Sequence, residues 1–173
     1  MSELIQFLLT RRTVRAYQPK PVPEEILADL LKVAKYSPSG MGLQNRHFTV
    51  IENQKLLSEI VAVTVRNGGK FVPGHTPFYN APAVLVVSAP KEFAYNREDA
   101  ACAVMGFLLA AHAYGLATCY ICSVLPGLND PEILKKLELP EGYVPLGSVA
   151  FGYAEGEIPA PKARRTDDVT FLR

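Results

Sequence analysis

With 173 residues (19.0 kDa) and a formal net charge of +1, the sequence predicts one compact domain spanning residues 1–173. This near-balance of charge excludes a general binder of nucleic acids or other polyanions, which usually shows a strong basic excess. No apolar run reaches the length of a membrane span, and the N-terminus lacks the basic-then-apolar order of a signal peptide. The three cysteines are an odd number without a dense disulfide framework, which favours a reducing compartment, the cytoplasm.

The first part of the chain predicts two helices with a basic segment between them. Residues 2–11 place their apolar side chains on one face of a short helix. Residues 21–36 predict a second amphipathic helix, with Pro23 in its first turn, that ends at Ser37-Pro38 because a residue before proline avoids helical geometry. Between the helices, residues 11–15 read RRTVR and concentrate three arginines in five positions.

The middle of the chain alternates strand and helix. Residues 47–52 are β-branched and aromatic, which favours a strand. Residues 53–69 predict a helix that Asn53 caps. Residues 67–82 carry glycine, proline and histidine without periodicity and predict a loop. Residues 83–89 form a continuous apolar run, which indicates a strand buried on both faces.

The last part of the chain predicts two helices, two strands and a tail. A helix at 96–115 is apolar on all sides, so we expect it in the core or in a subunit interface. Residues 116–122 and 144–153 predict strands, with a capped helix at 129–139 between them. The tail, residues 155–173, has little core-forming pattern but ends in VTFLR, which favours docking on another surface. Together these elements predict an α+β fold with a dimer interface.

Four separated segments resemble one family, the FMN-dependent nitroreductase-like flavoproteins. They are RRTVRAY at 11–17, YSPSGMGLQNRHFTVI at 36–51, AAHAYGLATCYICS at 110–123 and LGSVAFGYAEGEIPAPKARR at 146–165. The resemblance implies a mixed sheet of four or five strands flanked by helices, in an intertwined homodimer. It also implies two FMN molecules at the subunit interface and a C-terminal tail exchanged with the partner subunit.

The resemblance gives the basic segment a role as the binding site of the FMN phosphate. That group carries about −1.5 to −2 charges, and guanidinium groups bind phosphate through paired donors. Two basic clusters from opposite ends of the chain would then converge on one anion. The residues implied are Arg11, Arg12, Thr13, Arg15, Lys162 and Arg164.

The resemblance also implies two contacts with the flavin ring. A loop of small residues from the second subunit would approach the ring or the ribityl chain closely, which leaves no room for branched side chains. A strand end would direct backbone N–H groups at the reactive edge and stabilise negative charge there. The loop residues are Pro38, Ser39, Gly40, Gly42 and Gln44, and those of the strand end are Ile121, Cys122 and Ser123.

Three positions depart from the family pattern. Gly42 stands where asparagine is usual, Arg46 where tryptophan is common, and Cys122 where glycine or an acidic residue is usual. We expect these changes to alter the substrate side of the pocket or the affinity for flavin.

The cysteines and histidines raise two other possibilities, a redox-active disulfide and a zinc site. Cys119 and Cys122 have a C-x-x-C spacing, but residues three apart on a strand point to opposite faces, which disfavours a disulfide or a shared metal. The three histidines have no ligand-like spacing to the cysteines. His112 is therefore expected to be a satisfied helix residue, and no metal is expected.

The resemblance implies an FMN-dependent oxidoreductase. NADH or NADPH would deliver hydride to the flavin, and a nitroaromatic, quinone or similar acceptor would then take the electrons by ping-pong kinetics in the same pocket. No catalytic side chain is expected, although Phe78, Tyr79 and Tyr95 could line the pocket. An alternative is a flavin-binding or flavin-buffering protein with little reductase activity. A third interpretation is a different reaction on the same scaffold, such as reductive dehalogenation or flavin cleavage. A dehalogenase-like enzyme usually adds a lid over its substrate, and residues 67–82 are short for that role.

Overall fold

The computed structural model describes residues 1–72 and 74–173, and in these residues every predicted helix and strand is present. Of the predicted loop 67–82, residue 73 lies outside the described residues, and the described remainder forms neither helix nor strand. A 3₁₀ turn at Gly40–Gly42 and a short helix at Leu125–Leu128 were not predicted. The elements are α1 Glu3–Thr10, α2 Glu24–Tyr36, β1 His47–Ile51, α3 Gln54–Arg66, β2 Ala83–Pro90, α4 Asn96–Ala113, β3 Ala117–Ile121, α5 Leu125–Leu128, α6 Pro131–Leu137 and β4 Tyr143–Gly152.

Side-chain caps fix where three of the helices begin. Ser2 accepts a hydrogen bond from a backbone N–H of α1 at 3.4 Å, and Asn53 accepts two from α3 at 3.0 and 3.1 Å. Asp130 accepts one from α6 at 2.9 Å. Each cap satisfies an N–H group that has no partner within its own helix. The predicted starts at Ser2 and Asn53 are confirmed.

The four strands form one sheet in the order β1-β2-β4-β3, and each neighbouring pair is antiparallel. A parallel bridge between Thr13 and Thr118 adds the basic segment to the outer edge of β3, which makes the sheet mixed. The predicted α+β fold is therefore confirmed.

Strand β2 separates two hydrophobic cores. Its side chains alternate between the faces of the sheet, as the period of two in a strand requires. Val84 and Val86 face the core that α3, α5 and α6 cover, whereas Leu85 and Val87 face the core beneath α2 and α4. All four are fully buried, so the predicted burial of this strand on both faces is confirmed.

Helix α4 buries one side and exposes the other. Phe107 lies in the core, edge to face with Phe151 at 5.1 Å between ring centroids, whereas Met105 on the opposite side is 47% exposed. Helix α1 has no buried residue and contacts α4 where Phe7 stacks on His112 at 4.5 Å. His112 also lies 2.8 Å from the Thr10 hydroxyl, so it is a packed helix residue as expected.

The tail is exposed along its whole length. Residues 155–173 form neither helix nor strand, and Phe171 and Leu172 are 74% and 95% exposed. Among the described residues, no helix combines the length and apolarity needed to cross a membrane.

The contact between α5 and α3 leaves no room for a side chain at Gly127. A Cβ atom there would lie 2.2 Å from the Thr64 hydroxyl oxygen and 2.4 Å from the Ile60 carbonyl oxygen. We therefore expect Gly127→Ala to lower the free energy of unfolding by about 3 kcal/mol, measured by urea denaturation. The control Ser58→Ala, on the exposed side of α3, should change it by less than about 0.5 kcal/mol. A loss below about 1 kcal/mol for Gly127→Ala would contradict this close approach.

Candidate functional site

The basic segment, residues 11–15, is held against the outer edge of β3. The backbone N–H of Val14 donates to the Thr118 carbonyl oxygen at 3.0 Å. This pairing brings Arg11 and Arg15 close to Cys119. Burial raises the pKa of the Cys119 thiol, and the positive charges of Arg15 and Arg11 oppose that rise. The edge of the sheet therefore carries concentrated positive charge.

The three arginines have different environments. Arg15 is exposed, its guanidinium carbon lies 5.9 Å from the centre of the Tyr79 ring, and its interaction with Tyr79 raises its pKa. Arg12 directs Nη1 to the carbonyl oxygens of Leu9 and Arg11, both at 2.7 Å, so part of its guanidinium group caps the end of α1. Within residues 1–72 and 74–173, no carboxylate oxygen lies within 4.0 Å of any of the three guanidinium groups. Their charge is uncompensated within the described chain.

The second basic cluster begins beside the first but then leaves it. The Glu155 N–H donates to the Ala16 carbonyl oxygen at 3.0 Å, which anchors the start of the tail next to the basic segment. Lys162 and Arg164 lie further along the exposed tail, where Arg164 donates to the Lys162 carbonyl oxygen at 2.9 Å. In the described residues neither side chain is hydrogen-bonded to the basic segment, so the single chain does not bring the two clusters together.

Residues 37–44, the 37–44 loop, leave α2 with an unusual backbone. Met41, Gly42 and Gln44 have φ values of 56°, 67° and 54°, in the left-handed region. Glycine adopts this region without strain, which accounts for Gly42. The Ser39 hydroxyl accepts a hydrogen bond from the Gln44 N–H at 3.0 Å. An open depression of about 670 Å³ is lined by Lys35, Tyr36, Ser37, Pro38, Ser39, Gly42 and Gln44.

Arg46 does not place an exposed charge beside a substrate. Its residue is only 9% exposed, and its guanidinium group points back at backbone carbonyl oxygens. If the substrate side of the pocket is altered, as we expected, an exposed charge on Arg46 is not the cause. The acceptors are Lys35 at 3.2 Å, Ser37 at 2.9 Å, Pro38 at 3.1 Å and Asp99 at 3.5 Å.

The end of β3 borders a second open cavity, of about 900 Å³. Ile121 is buried in the core, so only its backbone can face a ligand there, whereas Cys122 and Ser123 are exposed. Partial burial of its ring, together with the neighbouring Cys122 thiol, raises the pKa of Tyr120 to about 12. The cavity is lined by Lys91, Asn96, Arg97, Ala101, Tyr120, Cys122, Leu125, Pro126, Asn129, Val144, Pro145 and Leu146.

The cysteines of the C-x-x-C spacing lie in different environments. Cys119 is buried in the core beneath α3, and Cys122 is exposed at the second cavity. Both thiols are free, and the C-x-x-C spacing places them on different sides of the end of β3.

Apart from Lys162 and Arg164 on the tail, the predicted site residues fall in two places on the single chain. One place is the basic segment with the end of β3, and the other is the 37–44 loop, which contacts the start of α4 through a 2.8 Å hydrogen bond from Gly40 to Asp99. Sequence reasoning missed Asp99, because an acidic residue in the first turn of a helix is ordinary. Of the suggested pocket residues, Tyr79 lies beside Arg15 and Phe78 is buried in the core.

Comparison with known proteins identifies close relatives along almost the whole chain. The family model described as Nitroreductase family matches residues 8–153. An iodotyrosine deiodinase from Thermotoga neapolitana is 32% identical over 83% of this chain and 89% of its own. A Methanothermobacter thermautotrophicus protein, whose name proposes an NADH dehydrogenase/NAD(P)H nitroreductase, is 29% identical over 87% of this chain and 77% of its own. The crystal structure of an FMN-bound nitroreductase from Bacteroides fragilis superimposes with a TM-score of 0.88, at 29% identity and full coverage of both chains.

The contact between Tyr120 and Cys122 predicts an unusual titration. Because the pKa of Tyr120 is raised to about 12, its phenol should remain protonated at pH 11, where an ordinary tyrosine is ionised. Cys122→Ala removes the smaller cause, so the midpoint should fall but stay above that of an ordinary tyrosine. ¹³C NMR of tyrosine-labelled protein, assigned with Tyr120→Phe, measures both values. An ordinary midpoint in the unsubstituted protein would contradict the described environment.

Proposed function

The chain belongs to the nitroreductase family, and we propose that it is an FMN-dependent oxidoreductase driven by NADH or NADPH. Its proposed acceptors are nitroaromatic compounds, quinones and similar conjugated molecules. The observation that carries the proposal is the group of three uncompensated arginines held at the edge of β3. The relatives whose names state FMN or NAD(P)H support it.

The donors at the edge of β3 fit the phosphate of FMN. Guanidinium groups bind phosphate through paired, charge-assisted hydrogen bonds. Arg11 and Arg15 are free of carboxylates in the described chain, and Tyr79 supports Arg15 from the side. Arg12 retains donors beyond the Nη1 that caps α1. Thr13, Lys162 and Arg164 complete the proposed phosphate site.

The proposed ring contacts come from two subunits. Ile121, Cys122 and Ser123 would direct backbone N–H groups at the ring from one subunit. The 37–44 loop of the second subunit would supply Pro38, Ser39, Gly40, Gly42 and Gln44. The separation of these two places on one chain supports a homodimer, as do the apolar side chains exposed on α1, α4 and the tail. In this proposal the tail docks on the partner subunit.

The protein's part in the reaction is to position reactants and to stabilise charge. When bound, FMN supplies the hydride and electron transfer. The Tyr120 phenol is protonated at neutral pH, as that of an ordinary tyrosine is, so it can donate a hydrogen bond towards a reactant in the cavity that it lines. Because donor and acceptor would use that cavity in turn, we expect ping-pong kinetics without a catalytic acid or base.

A second candidate function is reductive dehalogenation of an iodinated phenol. The 32% identity to the Thermotoga neapolitana iodotyrosine deiodinase favours it. The described part of residues 67–82 contains no helix that could serve as a lid, which favours the reductase. The two functions share the proposed phosphate site and differ in the acceptor.

Loss of a single arginine should weaken FMN binding. We expect Arg11→Ala or Arg15→Ala to raise the dissociation constant for FMN by about 10- to 100-fold, because a charge-assisted hydrogen bond contributes roughly 1.5–3 kcal/mol. Quenching of flavin fluorescence measures the constant, and thermal melting should show that both variants stay folded. Arg66→Ala, on α3 and paired with Asp130 and Glu132, is the control and should leave it unchanged. Equal affinity in all three variants would contradict the phosphate assignment.

A visible spectrum tests the proposed function itself. After incubation with FMN and removal of the excess, flavin bands should stay with the protein and bleach on anaerobic addition of NADH or NADPH. The bands should return when a nitroaromatic compound or a quinone is added. Recovery with 3-iodotyrosine alone would favour the dehalogenase, and bands that never bleach would indicate a flavin-binding protein. A colourless protein would overturn the proposal.

A further inference from the structure

We propose that Arg46 and Asp99 are positioning residues that hold the 37–44 loop in the shape in which it contacts FMN. This inference rests on the proposed function, which makes that loop part of the flavin site. The resemblance offers no such role for Arg46, since tryptophan is common at that position. The proposal therefore concerns a device that this chain builds from its own residues.

Arg46 ties together the end of α2 and the beginning of the loop. Its two terminal nitrogens donate to the carbonyl oxygens of Lys35, Ser37 and Pro38 at 2.9–3.2 Å. The carbonyl groups at a helix C-terminus have no partner within the helix and carry partial negative charge, so a buried cation is favourable there. Hydrogen bonds from a charged donor are also stronger than those between neutral groups. One side chain thus fixes three backbone carbonyl groups between residues 35 and 38, where α2 ends and the loop begins.

Asp99 holds the next part of the loop from the opposite side. This residue is 4% exposed in the first turn of α4, and its Oδ1 accepts a hydrogen bond from the Gly40 N–H at 2.8 Å. Gly40 also rests on an aromatic pair, since a Cβ atom there would lie 3.0 Å from Tyr95 and 3.1 Å from Phe93. The Arg46 Nη1 reaches the Asp99 carbonyl oxygen at 3.5 Å, which connects the two supports.

The loop needs support because its backbone is strained. Met41 and Gln44 are not glycines, yet both have positive φ, and residues held in this region persist only where the surroundings over-determine them. The burial of Arg46 and Asp99 has a cost in free energy. In the described chain Arg46 Nε and Asp99 Oδ2 are buried without a hydrogen-bond partner, whereas a packed apolar side chain would avoid that penalty. A gain in folding stability therefore does not account for the burial of these two charged residues, whereas their role in fixing the loop does.

The first test measures the loop without flavin. Hydrogen exchange of the FMN-free protein, read at the Gly40 amide by NMR, should be about tenfold faster or more in Arg46→Met, because the loop opens locally more often. Asp99→Ala should have the same effect, and Asp99→Asn should keep the protection because an amide oxygen also accepts a hydrogen bond. Amides of β2 should exchange at unchanged rates. Arg66→Met, a variant of the same type on α3, is the control for loss of an arginine.

The second test measures FMN binding by the same variants. The dissociation constant should rise about tenfold in Arg46→Met, partly recover in Arg46→Lys, and stay unchanged in Arg66→Met. The circular dichroism of bound flavin in the visible range should weaken in Arg46→Met, because a loosened loop orients the ring less well.

The outcomes separate the inference from the proposed function. Folded Arg46→Met protein with unchanged exchange and unchanged affinity for FMN would overturn the inference. If Arg46→Met does not fold, the comparison of Asp99→Ala with Asp99→Asn tests the inference instead. Equal exchange rates of the Gly40 amide in these two variants would overturn the inference. A natural-sequence protein that binds no FMN would overturn the proposed function, and the exchange experiment would still show whether Arg46 and Asp99 hold the loop.

Discussion

The pairing of the segment after α1 with the edge of the sheet determines where the site can form. Val14 is bonded to Thr118 at 3.0 Å and Gln18 to Tyr153 at 2.9 Å, so the segment lies along β3 and reaches the end of β4. Tyr17 holds the segment in place, because its buried hydroxyl donates to the carbonyl oxygens of Val14 and Ala150 at 2.9 and 3.1 Å. The backbone is thereby rigid while Arg15 remains exposed. A charged side chain on a fixed backbone is suited to bind a small anion.

The chain uses its arginines in two opposite ways. Those of the basic segment keep their charge uncompensated at the surface, where water solvates it until an anion binds. Arg46 is buried, and backbone carbonyl oxygens replace its hydration. Exposure therefore separates an arginine that can recognise a ligand from one that shapes the backbone. In the sequence alone, Arg46 and the three arginines of the basic segment have the same chemistry.

Periodicity and capping residues were sufficient to predict the helices and strands, because those signals are local. The burial of β2 on both faces followed from its seven consecutive apolar or small residues at 83–89. The four residues of α5 were missed because so short a helix has no period of its own and is stabilised by contact with α3. The site was predicted through resemblance, which supplied positions but not environments. The buried contacts of Arg46 and Asp99 join residues 53 positions apart, and no local pattern encodes them.

The two halves of the proposed flavin site differ in how they are preorganised. The phosphate half depends on a strand edge, and the 37–44 loop depends on Arg46 and Asp99 of its own chain. If the loop serves a partner subunit, Arg46 and Asp99 set its shape before assembly, since both belong to the same chain as the loop. Binding then orders few additional groups, and the affinity lost to ordering is small. This requirement accounts for the burial of Arg46 and Asp99, two charged residues, behind one short loop.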